Sequence, residues 1–311
     1  MIRAFVFYKQ LPNKVVGSSM DRVINTLAIG TCRVAGPCEN LTSNGFDGLE
    51  KFPHHLHYPS QILQTLQHYD GHNVIPQKLL YLMSEDSIRK SATRPGYIKS
   101  HAFEVRQRKG FTKQFDKYII ELSGLHELVH TSGMFVEYFA KRDLSEYSER
   151  LQSLGAEGLI EYVYPKDITA RQVADDYFLS VMSDISKFLH NKPILWVSHF
   201  DASAPARVRE SRQRCIDLVR KGAQKTGGSF FDPTNVVNSL GQHKALKENG
   251  DDLAHFSDEA MSCLAEVYRS WIYTGGHRWI QNKKSYSRLL RKPMFHLSTG
   301  LLFAVTGYYF I

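Results

Sequence analysis

The chain predicts an α/β fold: a central parallel sheet with helices on both faces. Two observations carry that prediction. Strand-length apolar runs alternate with helical stretches, and the runs are continuously apolar, as strands buried on both faces must be. Such a sheet binds ligands outside the carboxyl ends of its strands, so the residues just after each run are where chemistry is sought.

Val23–Gly30 (VINTLAIG) is the first buried strand, closed by a glycine turn. The stretch Gly36–Pro53 is rich in Gly, Pro and Asn and reads as loop. Pro59–Tyr69 (PSQILQTLQHY) is an amphipathic helix with proline at its start, and Ile62, Leu63 and Leu66 share one face. Lys117–Ser123 (KYIIELS) is a strand ended by Gly124, and Glu161–Tyr164 reads as a short strand. Thr169–His190 is a long helix with Val173, Tyr177, Val181, Ile185 and Leu189 at four-residue spacing. Pro193 ends it, and Ile194–His199 (ILWVSH) is another core strand. Ala204–Gly222 is a helix, with its arginines on a solvated face, and Ser229–Phe231 begins a short strand. Ser257–Tyr273 is the last strong helix, with Ser257 as its N-cap.

Composition narrows the function class. At 311 residues, 42% hydrophobic and 23% charged, the chain can bury a sizeable core, which excludes a disordered or fibrous protein. Four cysteines without a CxxC pair argue against a disulfide scaffold or structural zinc, and for a reducing, cytoplasmic setting. The net charge of +8 is unevenly spread. From Trp271 onward there are six basic residues (Arg278, Lys283, Lys284, Arg288, Arg291, Lys292) and no acid, whereas residues 1–270 hold 33 basic and 31 acidic side chains. A nearly neutral body does not favour nucleic acid as the partner; the basic segment 278–292 keeps it as an alternative reading. Met1–Tyr8 is followed by Lys9 and Lys14 with no cleavage-site pattern, so no signal peptide is expected. Pro293–Ile311 is 19 uncharged residues behind the basic run. The expected organisation is therefore one domain over 1–276 and a basic, hydrophobic appendage over 277–311, whose segment 293–311 either associates with membrane or packs as a strand or helix against the sheet edge.

Two short motifs carry candidate chemistry. Gly30–Thr31–Cys32–Arg33 closes the first strand, where a helix or loop N-terminus and the neighbouring Arg33 would favour a thiolate on Cys32. The bland alternative is a buried cysteine acting as a small hydrophobe. Asp252–Leu253–Ala254–His255 lies just before the last helix, at a spacing that lets an acid fix an imidazole tautomer; Asp251 is a second candidate acid. The bland alternative there is a solvated carboxylate beside a surface histidine. Metal binding by His54, His55 and His57 lacks a completing Cys or acidic ligand, so no metal is expected. His126 and Ser198–Asp201 follow core strands and could line the same crevice.

A nucleophile after the first strand and a D-x-x-H pair before the last helix resemble the SGNH/GDSL hydrolase superfamily, in its cysteine-bearing branches of GSCFA and capsule-polysaccharide acetyltransferase type. His57–Leu66, Asp116–Gly124 and Asp252–Ile272 are similar to segments of such proteins. The resemblance implies a flavodoxin-like three-layer fold, acyl or ester chemistry, no metal and no bound cofactor, with acyl-CoA allowed as a donor. Carried over by position, Cys32 stands at the nucleophile, His255 at the base and Asp252 at the acid behind it. Thr31 departs from the usual Asp, and no G-x-N-D run follows the strand at 117–123. The oxyanion and substrate-contact candidates are then Thr31, Arg33, Ser123, Gly124 and His126, together with the backbone N–H of Cys32. The expected function is an esterase, deacetylase or O-acyltransferase acting on a carbohydrate, polysaccharide or other acylated small molecule. The alternative is a non-catalytic binding module on the same fold.

Overall fold

The computed structural model describes residues 23–83, 86–94, 96–98 and 108–274. The chain runs β1 (Thr26–Gly30), α1 (Cys32–Ser43), β2 (Leu49–His55), α2 (Pro59–Tyr69), α3 (Ser87–Thr93), β3 (Lys117–Leu122), β4 (His126–His130), α4 (Ala140–Glu146) and α5 (Ser148–Ala156). It continues through β5 (Ile168–Gln172), α6 (Asp175–Phe188), β6 (Ile194–Ser198), α7 (Ala206–Thr226), β7 (Ser229–Phe231), α8 (Thr234–Leu240), α9 (Gln242–Ala245) and α10 (Asp258–Thr274).

Five strands form one sheet in the order β2-β1-β3-β6-β7, and every neighbouring pair is parallel. Counted along this sheet the order is 2-1-3-4-5, the flavodoxin-like doubly wound order, whose switch point lies between β1 and β3. Strand geometry sends alternate side chains to opposite faces. Leu27 and Ile29 of β1, Ile120 and Leu122 of β3 and Trp196 of β6 pack under α2, α6 and α7. Ala28, Ile119, Leu195 and Val197 pack under α1, α8 and α10. These are the three layers expected. The chain between α2 and α6 builds a third core around Leu80, Tyr81, Val136, Leu144 and Leu151, flanked by the antiparallel pair β4–β5.

Three local expectations are corrected. Gly36–Pro53 is not loop: it holds most of α1 and most of β2. Tertiary contacts override the poor local propensities. Gly36 leaves room for Met261, since a Cβ there would lie 2.8 Å from its sulfur. Pro37 cannot donate to the carbonyl of Arg33 four residues back, and the Tyr268 hydroxyl of α10 donates to that carbonyl instead, at 3.3 Å. Pro53 is tolerated because β2 is an edge strand. The helix expected over Thr169–His190 begins only at Asp175; the residues before it form β5, paired with β4. Glu161–Tyr164 is not a strand, and a single turn at Pro165–Asp167 follows it. Ser257 does cap α10: its Oγ accepts the Ala260 N–H at 3.3 Å.

No helix among the described residues is long and apolar enough to cross a membrane. The segment 293–311, the boundary at 276/277 and the leader-free start expected at Met1–Tyr8 all lie outside the described residues.

Candidate active site

The turn after β1 sits at the switch point. Gly30 has φ +156°, and a Cβ on it would lie 2.6 Å from the Glu121 Cβ of β3, so only glycine lets the two strands approach this closely. Glu121 is fully buried and collects the turn around its carboxylate. It accepts the Thr31 N–H at 2.8 Å, the Thr31 hydroxyl at 2.8 and 3.0 Å, and Arg33 Nε at 2.5 Å. Burial works against the Arg33 charge, but Glu121 and Cys32 offset it and hold the guanidinium above its ordinary pKa. Thr31 and Arg33 thus turn inward. Glu121 takes the Thr31 N–H and hydroxyl hydrogens and the Arg33 Nε–H, which leaves the Arg33 Nη groups to reach beyond the turn.

Cys32 is the first residue of α1 and is half-buried. The other three thiols are held up by burial: Cys38 strongly, Cys215 to about 12, and Cys263 with the added repulsion of Glu259 and Glu266.

The Asp252–His255 loop closes on itself. Asp252 Oδ1 accepts the Ala254 and His255 N–H groups at 2.9 and 3.1 Å, and its Oδ2 lies 2.8 Å from His255 Nδ1. An ionised carboxylate can only accept, so Nδ1 carries the proton and, in the neutral ring, Nε2 is the acceptor. Of the two candidate acids, Asp252 makes this bond. Partial burial pushes the Asp252 carboxyl up, but the Ala254 N–H and the His255 ring and N–H more than offset it, leaving it below its ordinary value. The loop meets the cysteine turn through Arg33, whose Nη1 donates to the Ala254 carbonyl at 3.4 Å, although 221 residues separate them.

Ser123 and Gly124 follow β3, but their N–H groups both donate to the His57 carbonyl, at 2.9 and 3.1 Å. Their backbone N–H groups are therefore engaged, which leaves the Ser123 hydroxyl as the side-chain donor at this position. The Ser123 hydroxyl lies 3.4 Å from His57 Nδ1. His126 opens β4 with an exposed side chain and pairs with Gln172, in the small sheet rather than the large one.

The sequence did not point to Glu121, Arg212 or the ring pair at His57. The His57 ring stacks on Tyr138, with centroids 5.0 Å apart and planes at 25°, and Tyr138 is 40% exposed. Arg212 was expected on a solvated face; it is instead half-buried, over the Phe200 ring, with Nη2 donating to the Leu253 carbonyl at 2.8 Å. His199, just after β6, is buried and donates from Nδ1 to the Phe200 carbonyl at 2.8 Å. Burial, with Arg33, Arg212 and His57 nearby, holds it well below its ordinary pKa, so it is neutral at neutral pH. Among the described residues no three His, Cys, Asp or Glu side chains gather as a metal site.

The fold is thus a doubly wound parallel sheet of α/β class, with a Gly-Thr-Cys turn at its switch point and an Asp–His pair on the loop before the last described helix. The chain belongs to the TviD N-terminal domain family, whose model matches residues 24–269. It is 24% identical over 306 residues to the Vi polysaccharide biosynthesis protein TviD of Salmonella typhi, an alignment covering 88% of this chain and 34% of that protein. The chain thus spans about a third of the length of the curated relative it matches. Among solved structures, a variant of the acetyl-xylooligosaccharide esterase Axe2 from Geobacillus Stearmophilus matches with a TM-score of 0.36 at 15% identity, covering 84% of this chain and all of that one.

Proposed function

We propose that this chain is an acyl-group enzyme acting on a carbohydrate or polysaccharide, as an esterase or O-acyltransferase, through Cys32, His255 and Asp252. The observation that carries the reading is the Asp252–His255 hydrogen bond of 2.8 Å on a loop that Arg33 joins to the cysteine turn. The printed name of the Salmonella relative, a polysaccharide biosynthesis protein, supports the substrate class.

In this reading the Cys32 thiolate attacks the acyl carbonyl. The tetrahedral intermediate collapses to an acyl-thioester as the leaving alkoxide takes a proton from the His255 imidazolium. An acceptor hydroxyl, from water or from a sugar, then loses its proton to His255 Nε2 and attacks the thioester, and the thiolate leaves. An acyl-CoA donor would load the cysteine by thioester exchange, with the CoA thiol leaving in place of the alkoxide. Asp252 holds the ring with Nε2 as the acceptor. In this reading the backbone N–H of Cys32, at the start of α1, meets the developing oxyanion. The exposed face of Tyr138 offers a flat apolar surface on which a sugar ring can lie.

The test is turnover of an aryl acetate, and of acetyl-CoA with an oligosaccharide acceptor, by wild-type and Cys32→Ala protein. Circular dichroism verifies the fold. Loss of turnover and of acyl-enzyme in folded Cys32→Ala is expected. Full turnover in that variant removes Cys32 from the site, whereas no turnover by the folded wild type passes the lead to a non-catalytic carbohydrate-binding module, a reading favoured by the Ser123 and Gly124 N–H groups being already spent on His57.

A further inference from the structure

Two consecutive carbonyls of the base loop are each held by an arginine. Arg212 of α7 takes Leu253 and Arg33 of α1 takes Ala254. His255 is the next residue. Its side chain is 49% exposed, and its Asp252 partner belongs to the same loop, so the bonds within the loop fix its shape and not its place. Its placement comes from outside: the two arginines, and the short antiparallel bridge of Leu246 with Phe256.

Arg33 is itself fixed by Glu121, across 88 residues, with side chains 7% and 0% exposed. A buried ion pair is an expensive way to stabilise a core, since well-packed apolar residues serve as well or better, so its use here calls for a role in positioning. The same carboxylate holds Thr31, which stands where the superfamily resemblance led us to expect an acid.

We propose that Glu121, Arg33 and Arg212 are positioning residues that set the His255 loop in register with the Cys32 turn: Glu121 anchors Arg33, and the two arginines clamp the carbonyls that precede the histidine. This rests on the reading of Cys32 and His255 as one catalytic unit. Among the described residues Arg212 Nη1 is buried without a hydrogen-bond partner, while its Nη2 bonds the loop. Burial and the nearby Arg33 hold Arg212 below its ordinary pKa, a cost consistent with the same role.

The experiment uses the full chain and two readouts. The first is kcat and KM for an aryl acetate. The second, which needs no substrate, is the pH dependence of Cys32 alkylation by iodoacetamide, located by peptide mass. The variants are Arg212→Met and the paired change Glu121→Leu with Arg33→Met, which removes both charges so that neither is left buried alone. Folded variants are expected to lose about 10- to 100-fold in kcat with little change in KM, as a displaced base would. Their alkylation profiles should shift toward that of His255→Ala, and adding His255→Ala should shift them no further. A folded paired variant with wild-type kcat and a wild-type alkylation profile overturns the clamp while leaving the Cys32 chemistry standing. If His255→Ala itself leaves Cys32 alkylation unchanged, the catalytic unit is refuted and the clamp with it. If the paired variant unfolds, Arg212→Met decides on the same two readouts.

Discussion

The Arg33–Glu121 and Asp252–His255 pairs both join a carboxylate to a nitrogen base, in opposite surroundings. The first is closed off from water and spans 88 residues; the second is 20% and 49% exposed and spans three. The contrast teaches that the cysteine side of the site is fixed by tertiary structure, while the histidine side is shaped by its own loop and only docked by tertiary structure. Damage to the two should therefore look different. Loss on the buried side should destabilise the fold, and loss on the exposed side should lower activity while leaving stability nearly unchanged.

The largest expected separation comes from single substitutions. Glu121→Leu leaves Arg33 buried without its charge partner, which costs about 3–5 kcal/mol and is read as a lower urea midpoint. Asp252→Asn should change stability by less than ~1 kcal/mol, yet lower kcat by about 10²- to 10⁴-fold through the wrong tautomer. Equal stability losses in the two variants would break the comparison.

Acid should act next, and on the buried side. His54 is packed among the rings of Phe52 and Tyr69, and burial, with Lys90, His55 and His68 adding, lowers its pKa to about 4. A folded pKa below the unfolded value means stability that is present above about pH 6.5 and lost as pH falls through the folded value, at about 1.4 kcal/mol per pH unit. His199 acts in the same direction. Thermal melts should therefore drop between pH 6.5 and 4, and His54→Leu should flatten that drop. The Asp252 carboxyl, held below its ordinary value, keeps its charge throughout most of that range, so the loop is not what fails.

Salt separates the pairs more gently. Between 0.05 and 0.5 M NaCl, the coupling of Asp252 to His255 in a double-mutant cycle should fall by a few tenths of a kcal/mol, and that of Arg33 to Glu121 should hold. The smallest stability effect is at Tyr138, outside both pairs. Tyr138→Ala should move stability by less than ~1 kcal/mol and leave kcat on an aryl acetate unchanged, while raising KM several-fold for an oligosaccharide. An unchanged oligosaccharide KM would discount the stacking face.

The same contrast explains what was legible beforehand. The Asp252–His255 relation is local, so its three-residue spacing could be read directly. The strands β3, β6 and β7 and helix α2 were visible because buried runs and an amphipathic face leave strong periodic signals. Glu121 left none: one acid in an apolar strand carries no mark of a partner 88 residues away. Arg212 was hidden among the exposed arginines of α7, since only the packed fold shows which way each one turns. Helix α1 was missed because Gly36 and Pro37 argue against a helix until Met261 and Tyr268 are in place beside them.

That last contact also bears on the order of assembly. The Arg33 carbonyl is served by a hydroxyl 235 residues further along the chain. During synthesis the first helix emerges long before the tyrosine that completes it, so the segment bearing the cysteine leaves the ribosome with one turn unfinished. A nascent chain halted before α10 lacks the seal on this turn. The thiol would then become properly seated only as the final described helix docks, making reactivity a late product of folding rather than an early one.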